Sequence, residues 1–379
     1  MTVGEAAKAC GGRLCETDTG AGADACLHNA KNTSADIPFQ GVVIDSRKVE
    51  PGNIFFAIKG EKTDGHNYIS KAFESGAVAV VAERLPQADD AKPMGPVILA
   101  EDSAKALSMI ASAYRKTLDI PVIGITGSVG KTTAKEMTAS VLAQKYRVQK
   151  TAGNFNNELG MPLTLLSVAP EHEAVVVEMG INHFGEMDRM AQVARPDIFM
   201  ITNIGPCHLE FLGDLHGVLR AKTEGLKYMR QGAYLIINAD DPELLSLKNT
   251  EGLSTVFFGM DNTADAALYA DGLVSRGANG MDFILHDGDD SIPVSINLPG
   301  RHMVYNALAA ACAGKISGLS LLQIAQGLSK ASTVKGHGTF EKMGDITLMN
   351  DCYNANPAST KASLKVLSEC GGYTRPVEG

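Results

Sequence analysis

The stretch Val122 to Thr133, VIGITGSVGKTT, ends in a turn framed by two glycines that delivers a lysine and two threonines, and their spacing suits the handling of phosphate. Gly127 and Gly130 bracket Ser128 and Val129. Without β-carbons, the glycines let a loop fold its backbone N–H groups around an anion. From such a loop Lys131 reaches the terminal phosphates of a nucleotide, the hydroxyl of Thr132 completes a Mg²⁺ shell, and Thr133 belongs to the same polar turn. The usual pattern places four residues between its first glycine and the Gly-Lys pair. That first position here holds Ile125, so the motif is a shortened GxxGKTT. A βα turn with an incidental Gly-Lys pair is the alternative.

A phosphate loop needs a strand before it and a helix after it. Val122, Ile123 and Ile125 suit a buried strand, and KTTAKEMTASVLAQKY from Lys131 spaces its apolar residues as a helix does, without Gly or Pro. The helix N-terminus adds a partial positive charge where the anion would lie. Ala104 to Lys116 reads as a helix leading into this strand, and strands and helices then alternate to about Asn238. AVVVEMG, DIFMITNIG and AYLIINAD are dense in β-branched residues, as parallel strands covered on both faces are. Their C-terminal ends carry Glu178, Asn203 and Asp240, and ligands of open α/β sheets sit at that edge. On residue type alone, Glu178 is either a cation ligand or a solvated strand-end carboxylate. From Ser254 to Pro299 the runs TVFFG, DFILHDGDD and PVSINLP predict antiparallel additions, closed by helices near Val304 to Lys315 and Leu321 to Ser329.

The segment to about residue 105 predicts a smaller α/β domain. A helix-like start and a Gly/Ala/Asp/Asn-rich loop or insertion from Thr17 to Asp36 precede the strands GVVIDS, NIFFAI, AVAVVA and PVILA, with a helix at Ile69 to Ser75. Polar loops between Asp45 and His66 suit either an anionic or sugar ligand or ordinary surface turns. Beyond Thr333 one strand, an Asn-rich loop and one helix are expected, and these cannot bury a core by themselves. The reading is therefore a mixed α/β chain in three parts, 1–105, 106–333 and 334–379, the last being the beginning of a domain whose remainder is missing.

Composition narrows the partners. With 379 residues, 45% hydrophobic and 20% charged, the chain has the make-up of a soluble globular protein. Its net charge of −9 argues against a nucleic-acid backbone as general partner. Seven scattered cysteines without a CxxC pair predict neither a disulfide framework nor a zinc site, and fit a reducing cytoplasm. No signal peptide or membrane span is expected.

In order and spacing, TGSVGKTT, GNFNNELGMPLTLL (Gly153 to Leu166), EMGINHFGEM, ITNIGPCHLEFLG, AKTE, PGRHMVYNALAA and DCYNANPAS resemble the Mur ligase family over most of the chain. GNxNN before GxPLTLL, MGxxxxGEM and DxYNANP are similar to the members that add D-alanyl-D-alanine to UDP-MurNAc-tripeptide. DSRxVxPGxxFFAxxGxxxDGH is likewise similar to their UDP-MurNAc-binding domain. The resemblance implies a cytoplasmic, monomeric enzyme of peptidoglycan precursor synthesis. It would be an ATP-dependent ligase working through an acyl phosphate, with Mg²⁺ at two sites.

By the same resemblance Lys131 grips the β- and γ-phosphates, and Thr132 and Glu178 hold one Mg²⁺. His208 binds the second, and Lys222, carried as a carbamate, is a further metal ligand; a structural histidine and a surface helix lysine are the alternatives from residue type. Asn156 and Asn157 are implied to meet the γ-phosphate region and the peptide, Asn306 the adenine, Asp351 the ribose, and Ser46 with Arg47 the uridine nucleotide. The family usually has Asn where this chain has Met303, and Arg where it has His337. Two other activities fit these motifs. One is a family member that adds a single amino acid, and the other is a truncated chain that binds nucleotide or UDP precursor without ligating.

Overall fold

The first helix is fixed by its start. Thr2 accepts from the N–H of Glu5, whose side chain accepts in return from Thr2, so α1 (Val3–Cys10) opens on a capping box. This computed structural model describes residues 1–15, 34–85, 95–332, 334, 336–344 and 346–370. The expected insertion from Thr17 lies outside them as far as residue 33, as does the tail from Gly371. The described residues form two compact units.

The first unit holds Met1–Asp119 and Glu158–Val168. After α1 come β1 (Arg13–Cys15), β2 (Gly41–Val43), β3 (Asn53–Phe56), α2 (Ile69–Glu74), β4 (Ala79–Ala82), β5 (Val97–Leu99) and α3 (Ser103–Arg115). The sheet order is β1-β5-β4-β3-β2, with β1 antiparallel to β5 and the others parallel. β3 and β4 are buried at every position, which is why they read as continuous apolar runs. Phe55, Ile69, Phe73, Val80 and Val97 meet in this unit's core.

The second unit holds Ile120–Asn157 and the described residues from Ala169 onward. It begins with β6 (Val122–Thr126), α4 (Lys131–Leu142) and β7 (Val148–Lys150); α5 (Gly160–Leu166) belongs to the first unit, where it packs on α3. β8 (Ala174–Glu178), α6 (Glu186–Ala194), β9 (Ile198–Ile201), α7 (Leu209–Leu212), α8 (Leu215–Thr223) and β10 (Tyr234–Asn238) follow. Then come β11 (Ser254–Gly259), β12 (Leu268–Ser275), β13 (Met281–Asp287), β14 (Asp290–Ile296), α9 (Arg301–Ile316) and α10 (Leu321–Lys330). The hairpin β15 (Thr339–Met343) with β16 (Ile346–Asn350) and α11 (Pro357–Glu369) complete it.

Nine strands pair in the order β14-β13-β12-β11-β10-β9-β6-β8-β7. One expectation is corrected here. The TVFFG run is β11, which lies parallel to β10, and the antiparallel part begins only where β13 pairs with β12. Side-chain alternation marks which face of a strand is buried and carries no information on the direction of its neighbour. β6 lies between β8 and β9, so the chain order reverses there, which is where an open α/β sheet forms its ligand crevice. α4 is held against this sheet by α9 and α10. The approach is close: a β-carbon on Gly327 of α10 would lie 2.4 Å from Val141 Cα, and Ser140 Oγ donates to Gly327 O at 2.7 Å. Met137, Val141, Leu308 and Ile324 share that core. No helix among the described residues is long and apolar enough to cross a membrane.

Candidate active site

The turn after β6 is shaped by its glycines. Gly127 (φ 150°) and Gly130 (φ 83°) take conformations that side chains resist, and there is no room for one. A β-carbon on Gly127 would sit 1.9 Å from Thr202 Oγ1, and one on Gly130 would sit 2.6 Å from Asn306 Oδ1. The turn is strapped to the segment after β9. Ser128 N donates to Asn203 O and Val129 N to Asn203 Oδ1, both at 3.0 Å, while Asn203 Nδ2 and Thr202 Oγ1 donate to Val129 O at 3.0 and 2.6 Å. Gly205 N donates to Ser128 Oγ at 2.8 Å. The strapped turn leads into α4, whose first N–H groups have no intrahelical partners and whose N-cap, Gly130, offers no capping side chain.

Lys131 and Thr132 stand in the first turn of α4, and Thr133 is buried behind them. Lys131 Nζ donates to Gly127 O at 3.0 Å; burial lowers its pKa and the nearby Glu178 carboxylate opposes that shift. Glu178 closes β8 and is 1% exposed, so it is no solvated strand-end carboxylate. Its Oε1 accepts from Thr132 Oγ1 at 3.0 Å and from Asn156 Nδ2 at 2.8 Å, and its N–H donates to Thr151 Oγ1 at 2.9 Å. Asn156 O accepts from Gly180 N, tying the loop to the residues after β8, whereas Asn157 is exposed beside it.

The hydroxyl of Thr132 and the carboxylate of Glu178 are hard oxygen donors brought side by side, and Glu178 Oε2 is buried without a hydrogen bond. That is the donor set a Mg²⁺ uses when phosphate and water supply its other ligands. Among the described residues no cluster of three or more His, Cys, Asp and Glu gathers. The residues therefore fit a cation shared with phosphate rather than one caged by protein alone.

His208 lies within electrostatic reach of both Lys222 and Lys131. His208 caps α7 in a left-handed conformation (φ 51°), and burial together with the charges of Lys222 and Lys131 lowers its pKa, favouring the neutral ring that binds metals. Lys222, on α8, is 1% exposed, which excludes a surface helix lysine. Burial first, and then the charge of Lys131, lower its pKa to about 7. Arg220, two residues earlier, instead lies over the Phe184 ring at 5.4 Å.

On the side of Gly130, Asn306 is 5% exposed on α9, with Nδ2 4.0 Å from Met303 Sδ. Asp351 follows β16 and accepts from Ser363 Oγ of α11. The His337 ring packs tilted against Tyr353, with centroids 4.4 Å apart; burial lowers its pKa, against the charges of Asp351 and Glu178.

Ser46 and Arg47 belong to the first unit and are described within it. Ser46 is buried at the start of a 3-10 turn capped by Asp45. Arg47 is exposed and doubly bonded to Asp45 at 2.9 and 2.8 Å, and this pairing lowers the Asp45 pKa to about 2. Of the polar loops from Asp45 to His66, the Asp-Gly-His end braces the fold. His66 Nε2 accepts from Glu83 N at 3.0 Å, so Nδ1 carries the proton facing Asp64 Oδ1 at 2.6 Å.

Asn203, placed at the ligand edge by its strand-end position, straps the phosphate loop. Two further residues with a part in this geometry escape sequence reasoning as site residues. Glu224 takes the N–H of Gly185 with both carboxylate oxygens at 2.9 Å, fixing the turn of MGINHFGEM against the AKTE segment. Lys135 lies fully buried beside Glu178. A signal exists for Lys135: it stands four residues after Lys131 and so shares its helix face.

Residues 125–314 match the family model described as Mur ligase middle domain, and residues 38–115 match the one described as Mur ligase family, catalytic domain. The UDP-N-acetylmuramoyl-tripeptide--D-alanyl-D-alanine ligase of Bacillus subtilis is 37% identical over 335 residues, 88% of this chain and 71% of that protein. The Escherichia coli protein of the same name is 35% identical over 352 residues, 93% and 76% of the two chains. Among solved structures, MurF from Acinetobacter baumannii superposes with a TM-score of 0.83 at 30% identity, covering 97% of this chain and 76% of that one. MurF ligase from Thermotoga maritima in complex with ADP gives 0.75 at 28% identity, covering 88% and 76%.

Proposed function

This chain belongs to the Mur ligase family, and from that membership we propose that it is the ATP-dependent ligase that joins D-alanyl-D-alanine to UDP-MurNAc-tripeptide. The observation that carries the chemistry is the hydrogen-bonded pair Thr132 and Glu178 at the mouth of a phosphate loop bearing Lys131. The carboxylate of the tripeptide attacks the γ-phosphorus of ATP, releasing ADP. The amine of D-alanyl-D-alanine then attacks the acyl carbon and expels inorganic phosphate, losing a proton as the amide forms. The protein's part is to neutralise charge on the transferring phosphoryl group and to place the nucleophile.

Gly127, Ser128, Val129, Gly130 and Thr133 shape the loop that wraps the phosphates, and Lys131 balances their charge. Mg²⁺, when held by Thr132 and Glu178, supplies Lewis-acid stabilisation to the phosphate oxygens. His208 and Lys222 are proposed to hold a second ion, with Lys222 as a carbamate. A lysine whose pKa falls to about 7 offers the neutral amine that CO₂ requires. Asn156 and Asn157 are assigned to the γ-phosphate and peptide, Asn306 to adenine, Asp351 to ribose, and Ser46 and Arg47 to the uridine nucleotide. Arg47 would exchange its Asp45 partner for diphosphate, a substitution its exposed fork allows. The division of labour at residues 105 and 333, a monomeric state and a cytoplasmic setting belong to the same proposal.

Mass spectrometry of the purified chain with UDP-MurNAc-tripeptide, D-alanyl-D-alanine, ATP and Mg²⁺ tests it. Pentapeptide product is expected from the wild type and none from Lys131→Ala. Product with single amino acids in place of the dipeptide would reassign the acceptor, and precursor binding without any product would overturn the ligase reading.

A further inference from the structure

Lys135 is 0% exposed and sits one helical turn beyond Lys131 on α4. Three acceptors surround its Nζ. Glu136 Oε1 is 3.3 Å away, Gly153 O 3.4 Å and Glu178 Oε2 3.5 Å. Glu136 also pairs with Lys150, so the chain of charges runs from the surface inward to Glu178. The two oxygens of Glu178 are unlike. Oε1 accepts from Thr132 and Asn156, whereas Oε2 accepts no hydrogen bond and faces the Lys135 ammonium just outside good bonding distance.

We propose that Lys135 is a resident counter-ion for Glu178, a positioning residue that a divalent cation displaces from Oε2 and that then tightens on the carbonyl of Gly153. A cation coordinated by Oε2 lies a few ångströms from the ammonium, and like charges at that range repel strongly in a buried site. The ammonium does not become unpaired when it withdraws, because Glu136 and Gly153 O are already in reach. Gly153 opens the loop that carries Asn156 and Asn157. Cation occupancy is thereby transmitted to the loop assigned above to the peptide substrate. The inference rests on the reading of Glu178 as a cation ligand.

The test measures Mn²⁺ binding in the presence of ADP, by the electron paramagnetic resonance of the free ion. Lys135→Met keeps the aliphatic stem and removes the competing charge, so Mn²⁺ should bind it at least about threefold more tightly than it binds the wild type. Unchanged or weaker binding overturns the proposal. Glu178→Gln separates the two readings. Wild-type affinity in that variant removes Glu178 as ligand, whereas its loss together with an unchanged Lys135→Met sinks Lys135 alone. The wild-type protein gives a second arm should the methionine variant not fold. Hydrogen exchange across residues 152–157 should slow with MnCl₂ and ADP relative to ADP with EDTA, and equal exchange overturns the coupling.

Discussion

Lys222 places a lysine where a lysine is expensive. Its folded pKa of about 7 lies below the ordinary value of 10.5 because burial and then Lys131 disfavour the ammonium. Below about pH 7 both folded and unfolded chains carry that proton, and the cost of burying it is borne in full. Between the two pKa values only the unfolded chain holds the proton, so stability rises with pH across that window. Lys222→Met should therefore be more stable than the wild type near pH 7, by a few kcal/mol, and should flatten the rise. Urea denaturation from about pH 6 to about pH 9 checks both. The same variant should lose ligase activity, and ¹³C NMR with labelled bicarbonate should show a carbamate resonance in the wild type that it lacks. The residue type and the AKTE motif were legible in the sequence. The burial and the neighbouring charge that give the amine its chemistry were not, because they come from the elements around α8 and from Lys131 rather than from neighbours in the chain.

The phosphate loop is set by straps from another element as much as by its own glycines. Asn203→Ala removes two hydrogen bonds to Val129, taking the acceptor from its N–H while its carbonyl keeps Thr202 Oγ1. At roughly 1 kcal/mol per lost bond, ADP affinity should fall about thirtyfold, which isothermal calorimetry can read. Gly130→Ala should be harsher. The left-handed backbone costs about 1–2 kcal/mol with a β-carbon, and that carbon meets the Asn306 amide at 2.6 Å. Nucleotide binding should drop while far-UV circular dichroism stays unchanged, since the strain is confined to one turn. β6 and α4 were legible because they are long, apolar and punctuated by glycine. β1, β7, β12 and β15 were not. β1 and β7 have three residues each, β12 carries Asp271 and Gly272 in its middle, and β15 is half polar, so local pattern gives them little signal. Lys135 was overlooked for a related reason, as a lysine on a helix ordinarily faces water.

At the scale of the whole molecule the two units are interleaved along the chain. Sequence pattern suggested breaks at residues 105 and 333, because composition changes there. Nothing local marks Glu158–Val168 as part of the first unit, since an apolar helix packs on any apolar partner the fold supplies. A fragment ending at Asp119 lacks α5, which covers α3, and the bond from Tyr114 Oη to Val168 O at 2.6 Å. That fragment should be markedly less stable than one extended through residue 168, with a lower urea midpoint. If the shorter fragment unfolds at the same urea concentration, α5 contributes nothing to that core.

Interleaving also bears on how such a chain can be reassembled in evolution or in the laboratory. A single crossover after Asp119 exchanges a module that is missing one of its own helices. The first later breakpoint that leaves the module whole falls after Val168, and by then the exchanged segment has taken in β6, the phosphate loop, α4 and β7. Chimeras between relatives that keep the first unit intact by one junction therefore inherit the donor's phosphate loop as well.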